Sequence, residues 1–392
     1  MEDDAKKGMN RRTFIKAGMV GTATALMAPP ALAETLQQMA AAERSSFPKP
    51  IYRTLGRTGL KISVVSFGAM LTPEPEVIRV AIEQGVNYID TARKYMGGKN
   101  EEIVGRAVKG LRDKLFIATK TSPESQTKAD IIRDVETSLK TLGTDHIDVI
   151  QLHHLTGKER IFIAETREAL TLLKKQGKVR FCGVTTHKNE VEVLNALVDD
   201  PDRFFDTCLV KYNFKSDPAV SAAIDRAASA GIGIIAMKAL IGGYDTAGLG
   251  GISAHQAALK WALQNPRVTA AIAGMKDMGQ LREDVAVMGM SFSYADQRRL
   301  ERYTEAIAPF YCHFCGACEG GCPRGVEIST VNRSLMYAEG GYRDLALARA
   351  TYAELSHSAK AAACLDCSSC SARCVNGLDI SAKMERARAV LS

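Results

Sequence analysis

Eight of the ten cysteines crowd the tail of this 392-residue chain, in two runs of matching spacing. Cys312, Cys315, Cys318 and Cys322, the last followed by Pro323, are separated by two, two and three residues, and Cys364, Cys367, Cys370 and Cys374 repeat the pattern with Val375 in the proline's place. Three thiolates on one tight loop can reach three corners of a cubane while a fourth arrives from further along, so the spacing predicts two 4Fe-4S clusters. A disulfide framework does not call for two runs at identical spacing, and a zinc site would leave the third cysteine of each run surplus. Cys182 and Cys208 stand alone inside apolar runs and read as small core residues.

A second set of chemically able residues lies in the middle of the chain: Asp90, Tyr95, Lys120 and His153. What could bring them together is a repeating unit. From residue 50 to about 290, short β-branched runs such as "NYIDTA", "LFIATK" and "IDVIQLHH" alternate with stretches of helical period such as "KADIIRDVETSLKTLG". Eight such alternations predict an α/β fold, a (β/α)8 TIM barrel. No Gly-rich dinucleotide fingerprint follows any strand, which disfavours an open doubly wound sheet. In such barrels chemistry gathers at the C-terminal strand ends, and Asp90, Lys120 and His153 close the second, third and fourth strands, with Tyr95 in the loop after Asp90. His154 reads as structural, because alternation along the strand turns it away from the barrel axis.

On these residues the chain resembles the aldo-keto reductase family, with "GVNYIDTARKYMGGKNEEIVG" as its Asp-plus-Tyr segment, "FIATK" as its lysine strand and "IDVIQLHH" as its histidine strand. "YRTLGRTGLKISVVSFGAM" resembles its capping hairpin and first strand. The resemblance implies that Tyr95 protonates a carbonyl oxygen, that Lys120, held by Asp90, lowers the phenol's pKa, and that His153 orients that oxygen. It also implies NADP(H), but the cofactor side departs from the family's pattern. Thr185 and Thr186, followed by His187, replace a Ser-Asn pair; Leu209 replaces a glutamine, three residues before Tyr212; Met237, followed by Lys238, replaces a stacking tyrosine; Gln280 replaces an arginine. Each change removes a hydrogen bond, a stacking face or a charge worth on the order of 1 kcal/mol. Gly274, Lys276 and Glu283 remain as implied contacts. The tail, from 291 to 392, resembles a helical ferredoxin, in which Cys374 would complete the first cluster site and Cys322 the second. The segment between the runs reads as two short helices broken at Gly340 and Gly341.

The first 33 residues are of a different kind. "NRRTFIK" followed by a weakly apolar run and "ALA" resembles a twin-arginine signal, with cleavage expected after Ala33; the apolar run is shorter than the roughly 20 residues a membrane helix needs. Export by the twin-arginine machinery, to the periplasm, is therefore expected. The formal charge of +7 is spread through interleaved acidic residues and forms no nucleic-acid stripe. Three activities remain open: a carbonyl/alcohol oxidoreductase using nicotinamide, with the clusters as auxiliary parts; a redox enzyme without nicotinamide whose clusters are fed by an external electron carrier; and an electron-transfer module with the barrel as docking scaffold. "IGGYDTAGLGG", after the seventh strand, reads as a Gly-rich lid over the substrate.

Overall fold

The computed structural model describes residues 47–244, 253–367 and 369–391. The first 33 residues, expected to be a twin-arginine signal, and most of the Gly-rich loop after the seventh barrel strand lie outside the described residues. A hairpin of β1 (Tyr52–Thr54) and β2 (Lys61–Ser63) precedes eight parallel strands, β3 (Val65–Gly68), β4 (Tyr88–Asp90), β5 (Phe116–Lys120), β6 (Ile147–Leu155), β7 (Val179–Thr186), β8 (Thr207–Lys211), β9 (Gly233–Met237) and β10 (Ala270–Gly274), which close as a barrel in sequence order with β10 beside β3. The run "ISVVSFGA" thus serves two elements, the hairpin's second strand and the barrel's first.

The hairpin closes the barrel's N-terminal end. Leu55, Leu60 and Ile62 pack with Tyr88, Ala118, Val149, Leu209, Ile235 and Ala270 in one apolar cluster, so the barrel's bottom is filled and its chemistry is left to the top. Gly56 has a positive φ of 48°, and a Cβ there would overlap the backbone of Gly233, so only glycine lets the hairpin approach β9 this closely. Outside the barrel stand α1 (Pro75–Glu83), α2 (Asn100–Val108), α3 (Lys128–Leu142), α4 (Ala164–Lys175), α5 (Glu190–Asp199), α6 (Pro218–Ser229), α7 (Ala254–Gln264) and α8 (Met278–Val285). Their apolar stripes face the sheet, as Ile131, Val135 and Leu142 do on α3, whose start Thr127 caps by accepting the Asp130 N–H.

The chain then continues in α9 (Tyr294–Ile307), pinned to α7 by a buried 2.5 Å ion pair of Lys260 and Asp296. Next come α10 (Ile328–Glu339), α11 (Leu345–Ala353) and α12 (Ile380–Leu391), and among the described residues after β10 there is no strand. Val331 and Leu335, one turn apart on α10, join Tyr303, Ile307, Ala348, Tyr352, Ile380 and Met384 in a second core that also holds the buried Cys318. Ile241, from the loop after β9, belongs to the same core, so tail and barrel rim are packed together.

The seat of the tail on the rim is specific. Gly341 donates its N–H to the Gly242 carbonyl at 3.1 Å, and a Cβ on Gly341 would overlap the Gly243 carbonyl. Lys188 pairs with Glu319 at 2.7 Å, and Lys211 donates to the His313 carbonyl at 3.0 Å. Gly341→Ala should therefore lift the 340–344 loop off the rim while leaving the barrel folded. Limited proteolysis checks this: the variant is expected to be cut in that loop well before wild type, and equal resistance would show the contact to be dispensable.

Candidate active site between barrel rim and tail

Asp90 and Lys120 end β4 and β5, adjacent strands of the barrel, so their side chains meet at its top. Lys120 Nζ lies 2.5 Å from Asp90 Oδ1 and donates to the Thr91 carbonyl at 2.8 Å, while Gln151 Nε2 donates to Asp90 Oδ2 at 2.9 Å. Both residues are about 1% exposed. Burial pushes the carboxyl up and the ammonium down, and each opposes the other's shift, so the pair depends on these hydrogen bonds to stay charged.

Tyr95 and His153 meet edge to face, with ring centroids 6.0 Å apart, and Lys120 Nζ lies 4.7 Å above the Tyr95 ring. Lys120 spends its hydrogen bonds on Asp90 and Thr91, so its contact with Tyr95 is over the ring face. Burial and then the Asp90 charge raise the Tyr95 phenol well above its ordinary value, and the cation that opposes them is Lys238. Burial, followed by the charge of Lys120, holds the His153 imidazole neutral, with its Nδ1 buried and unpartnered.

The strand alternation that set His154 aside fails locally. His154 has a positive φ of 58°, and the β6–β7 register shifts between Leu152 and Leu155, so His154 turns into the same cavity as His153. There it packs edge to face on His187 at 5.3 Å. The cost of this backbone is met by β7, where the Thr185 hydroxyl accepts the His154 N–H at 2.8 Å.

The cavity holds about 300 Å³ and has two walls. The barrel contributes Tyr95, His153, His154, His187, Met237 and Lys238; the tail contributes Arg333, Tyr337, Tyr342 and Thr351. On α10, Arg333 and Tyr337 are one turn apart and share the face turned to the barrel. Lys238, whose φ is 58°, donates to Tyr337 Oη at 3.0 Å and lies 4.9 Å over that ring. Burial opposes ionisation of Tyr337, but Lys238 and Arg333 outweigh it and lower this phenol, the reverse of Tyr95. Sequence reading passed over Arg333, Tyr337 and Tyr342; their signal was the polar pair one turn apart on α10 beside the Gly340–Gly341 break.

The residues expected to hold nicotinamide are largely engaged by the protein itself. Thr185 bonds the His154 backbone, and the Thr186 hydroxyl serves the Leu155 and Lys188 carbonyls. Leu209 is buried in the barrel's apolar cluster, and Tyr212 lies at 3.1 Å from Ser221, away from the cavity. Lys276 Nζ donates to the Tyr342 carbonyl, and its backbone N–H donates to Gln280 at 2.8 Å. Glu283 accepts from Ser253 Oγ. Gly274, Met237, Lys238, Lys276, Gln280 and Glu283 do line the cavity, but its volume is at the low end of the roughly 300–1,000 Å³ typical of small-molecule pockets. With the tail seated, these residues do not fit a dinucleotide.

The thiols fit clusters better. Cys312 feels Cys318, Cys315 and Cys374 as neighbours, and Cys364 feels Cys322, Cys367 and Cys370, so each set takes its fourth member from the other run. Burial first and this crowding next push the Cys312 thiol up to about 12 and Cys318 to about 11, which bound iron would reverse. Among the described residues no group of three or more His, Cys, Asp and Glu converges to hold a single metal ion. Cys182 and Cys208 are fully buried, and burial raises both thiols, Cys182 to about 12.

The comparisons with known proteins agree with both halves. Residues 74–248 match the Aldo/keto reductase family and residues 311–379 match a 4Fe-4S dicluster domain. The chain is 36% identical over 160 residues to the aldo-keto reductase YhdN of Bacillus subtilis, covering 36% of this chain and 48% of that protein, so it spans about half that relative's length. It is 26% identical over 302 residues to L-galactose dehydrogenase of Arabidopsis thaliana, covering 66% of this chain and 94% of that one. The structure of a Klebsiella pneumoniae aldo/keto reductase in complex with NADP and acetate aligns with a TM-score of 0.54 at 26% identity, over 65% of this chain and 95% of that one. The chain therefore carries an aldo/keto reductase domain joined to a C-terminal 4Fe-4S dicluster domain.

The three cavity histidines set an acid limit on stability. Burial lowers all of them, His154 to about 4 and His153 and His187 well below the ordinary value, whereas an unfolded histidine takes a proton near pH 6.5. Below about 6.5 the unfolded chain thus binds more protons, and stability falls with falling pH. Denaturant midpoints should drop between pH 7 and pH 5, and His154→Gln should flatten the slope; a level profile in wild type would contradict neutral burial.

Proposed function

We propose that the protein is an exported oxidoreductase acting on a small carbonyl or alcohol, with two 4Fe-4S clusters. The observation that carries the reading is the convergence of Asp90, Tyr95 and His153 on one cavity, with Lys120 behind them against Asp90 and the Tyr95 ring. In the reductive direction the carbonyl takes up two electrons and two protons: Tyr95 Oη gives its proton to the substrate oxygen, and the carbon, once reduced, takes the second proton from solvent, so that C=O becomes CH–OH. His153, neutral, orients that oxygen. Lys238 supplies the charge that lets the Tyr95 phenolate form after proton loss, against the burial and the Asp90 charge that resist it.

Cys312, Cys315, Cys318 and Cys374 would hold one cluster, and Cys322, Cys364, Cys367 and Cys370 the other. Bound clusters supply one-electron transfer, and two of them match the two electrons of a carbonyl reduction. Lys238 and Lys276 are taken up by Tyr337 and Tyr342, which favours reducing equivalents arriving through the clusters from an external carrier over NADP(H). Folding and cluster loading before export suit the twin-arginine route read in the first 33 residues.

Tyr95→Phe tests the reading. With dithionite as donor and a panel of small aldehydes, ketones and oxo acids, the variant should lose ~10²- to 10⁴-fold in turnover with its iron content unchanged. Wild-type turnover would move the chemistry elsewhere. For export, Arg11→Lys combined with Arg12→Lys should leave protein with about eight irons per chain in the cytoplasm; unchanged export, or stoichiometric zinc without acid-labile sulfide, would refute the respective half.

A further inference from the structure

The cavity has a cation without an assigned partner. Its other basic groups are committed: Lys120 to Asp90, Lys238 to Tyr337, Lys276 to the Tyr342 carbonyl, and Lys94 at the mouth to Glu124 at 2.6 Å. Arg333, on the tail's wall, has no hydrogen bond or ion pair with any described residue, and its Nε is buried without a partner. Its charge is felt all the same. After burial, it helps to keep His153, His154 and His187 neutral.

The lining carboxylates do not answer it. Asp90 belongs to Lys120, Glu283 accepts from Ser253, and burial raises Asp284 well above the carboxylate range. Glu354, on the exposed end after α11, is raised by burial and partly restored by Arg333, but makes no ion pair with it. A half-buried guanidinium lining a cavity with its pairing capacity unspent is costly unless an anion completes it. Its planar fork matches a carboxylate through two parallel N–H bonds.

We propose that the cavity takes a small carbonyl or hydroxyl compound that also bears a carboxylate, held at that carboxylate by Arg333 while the reacting oxygen faces Tyr95 and His153. The reacting end rests on the function proposed above; the anion contact does not. A volume of about 300 Å³ between two walls suits a short oxo or hydroxy acid. The cluster-bearing tail would thereby select the substrate as well as cover it.

Calorimetric titration of the oxygen-free, cluster-loaded full chain tests this with 2-oxobutyrate and butanone, which differ by a carboxylate in place of a methyl group. Wild type should bind 2-oxobutyrate about 10- to 100-fold more tightly, as expected for one charge-assisted contact. Arg333→Gln should abolish that preference with butanone affinity and iron content unchanged, and Arg333→Lys should retain part of it. The proposal is overturned if wild type shows no preference, if Arg333→Gln keeps it, or if inorganic phosphate displaces 2-oxobutyrate better than acetate does. Should Arg333→Gln fail to load iron, the wild-type preference and Arg333→Lys decide. Tyr95→Phe should keep the preference for 2-oxobutyrate over butanone, because both probes share the carbonyl it faces, so failure of the catalytic reading would appear in turnover and failure of this one in the binding ratio.

Discussion

The seating of the tail on the barrel's C-terminal rim is the contact on which the rest of the site depends. Gly341 meets Gly242 and Gly243 backbone to backbone, where no side chain fits, and Tyr337 and Tyr342 then reach Lys238 and Lys276. These few bonds close an otherwise open barrel mouth into a two-walled cavity. They also decide what can enter, because lysines expected to serve a dinucleotide are held by tail groups. A barrel without this tail would present a different site from the same strands.

The cavity sorts its two tyrosines in opposite directions. Tyr95, buried near the Asp90 charge, is held protonated; Tyr337, beside Lys238 and Arg333, is drawn toward phenolate. Lys238 acts on both, and its left-handed backbone at the end of β9 is what aims it between them. The buried Asp90–Lys120 pair supplies the fixed charge against which this balance is set.

Much of this was legible in the sequence because it follows from periodicity and spacing. Strand and helix periods predicted the barrel, strand ends located Asp90, Lys120 and His153, and the cysteine intervals marked two runs of four thiols, whose exchanged fourth members were implied by the ferredoxin resemblance and not by the spacing. What was not legible is non-local or depends on a single dihedral angle. His154 enters the cavity because its backbone is left-handed, which strand alternation cannot foresee. Thr185 and Thr186 looked like cofactor contacts by position, yet their hydroxyls hold the β6 backbone in place. Arg333 and Tyr337 lie more than 170 residues beyond His153, and nothing local to α10 says that its polar face covers a barrel.

In the proposed function the tail takes up Lys238 and Lys276, which were expected to serve a dinucleotide, and electrons enter through the cysteine-rich domain. Calorimetric titration of the oxygen-free, cluster-loaded protein with NADPH addresses it most directly. No tight binding is predicted, and the cluster absorbance should remain oxidised under NADPH although dithionite bleaches it. Micromolar NADPH binding to the intact chain, with rapid bleaching, would contradict the account.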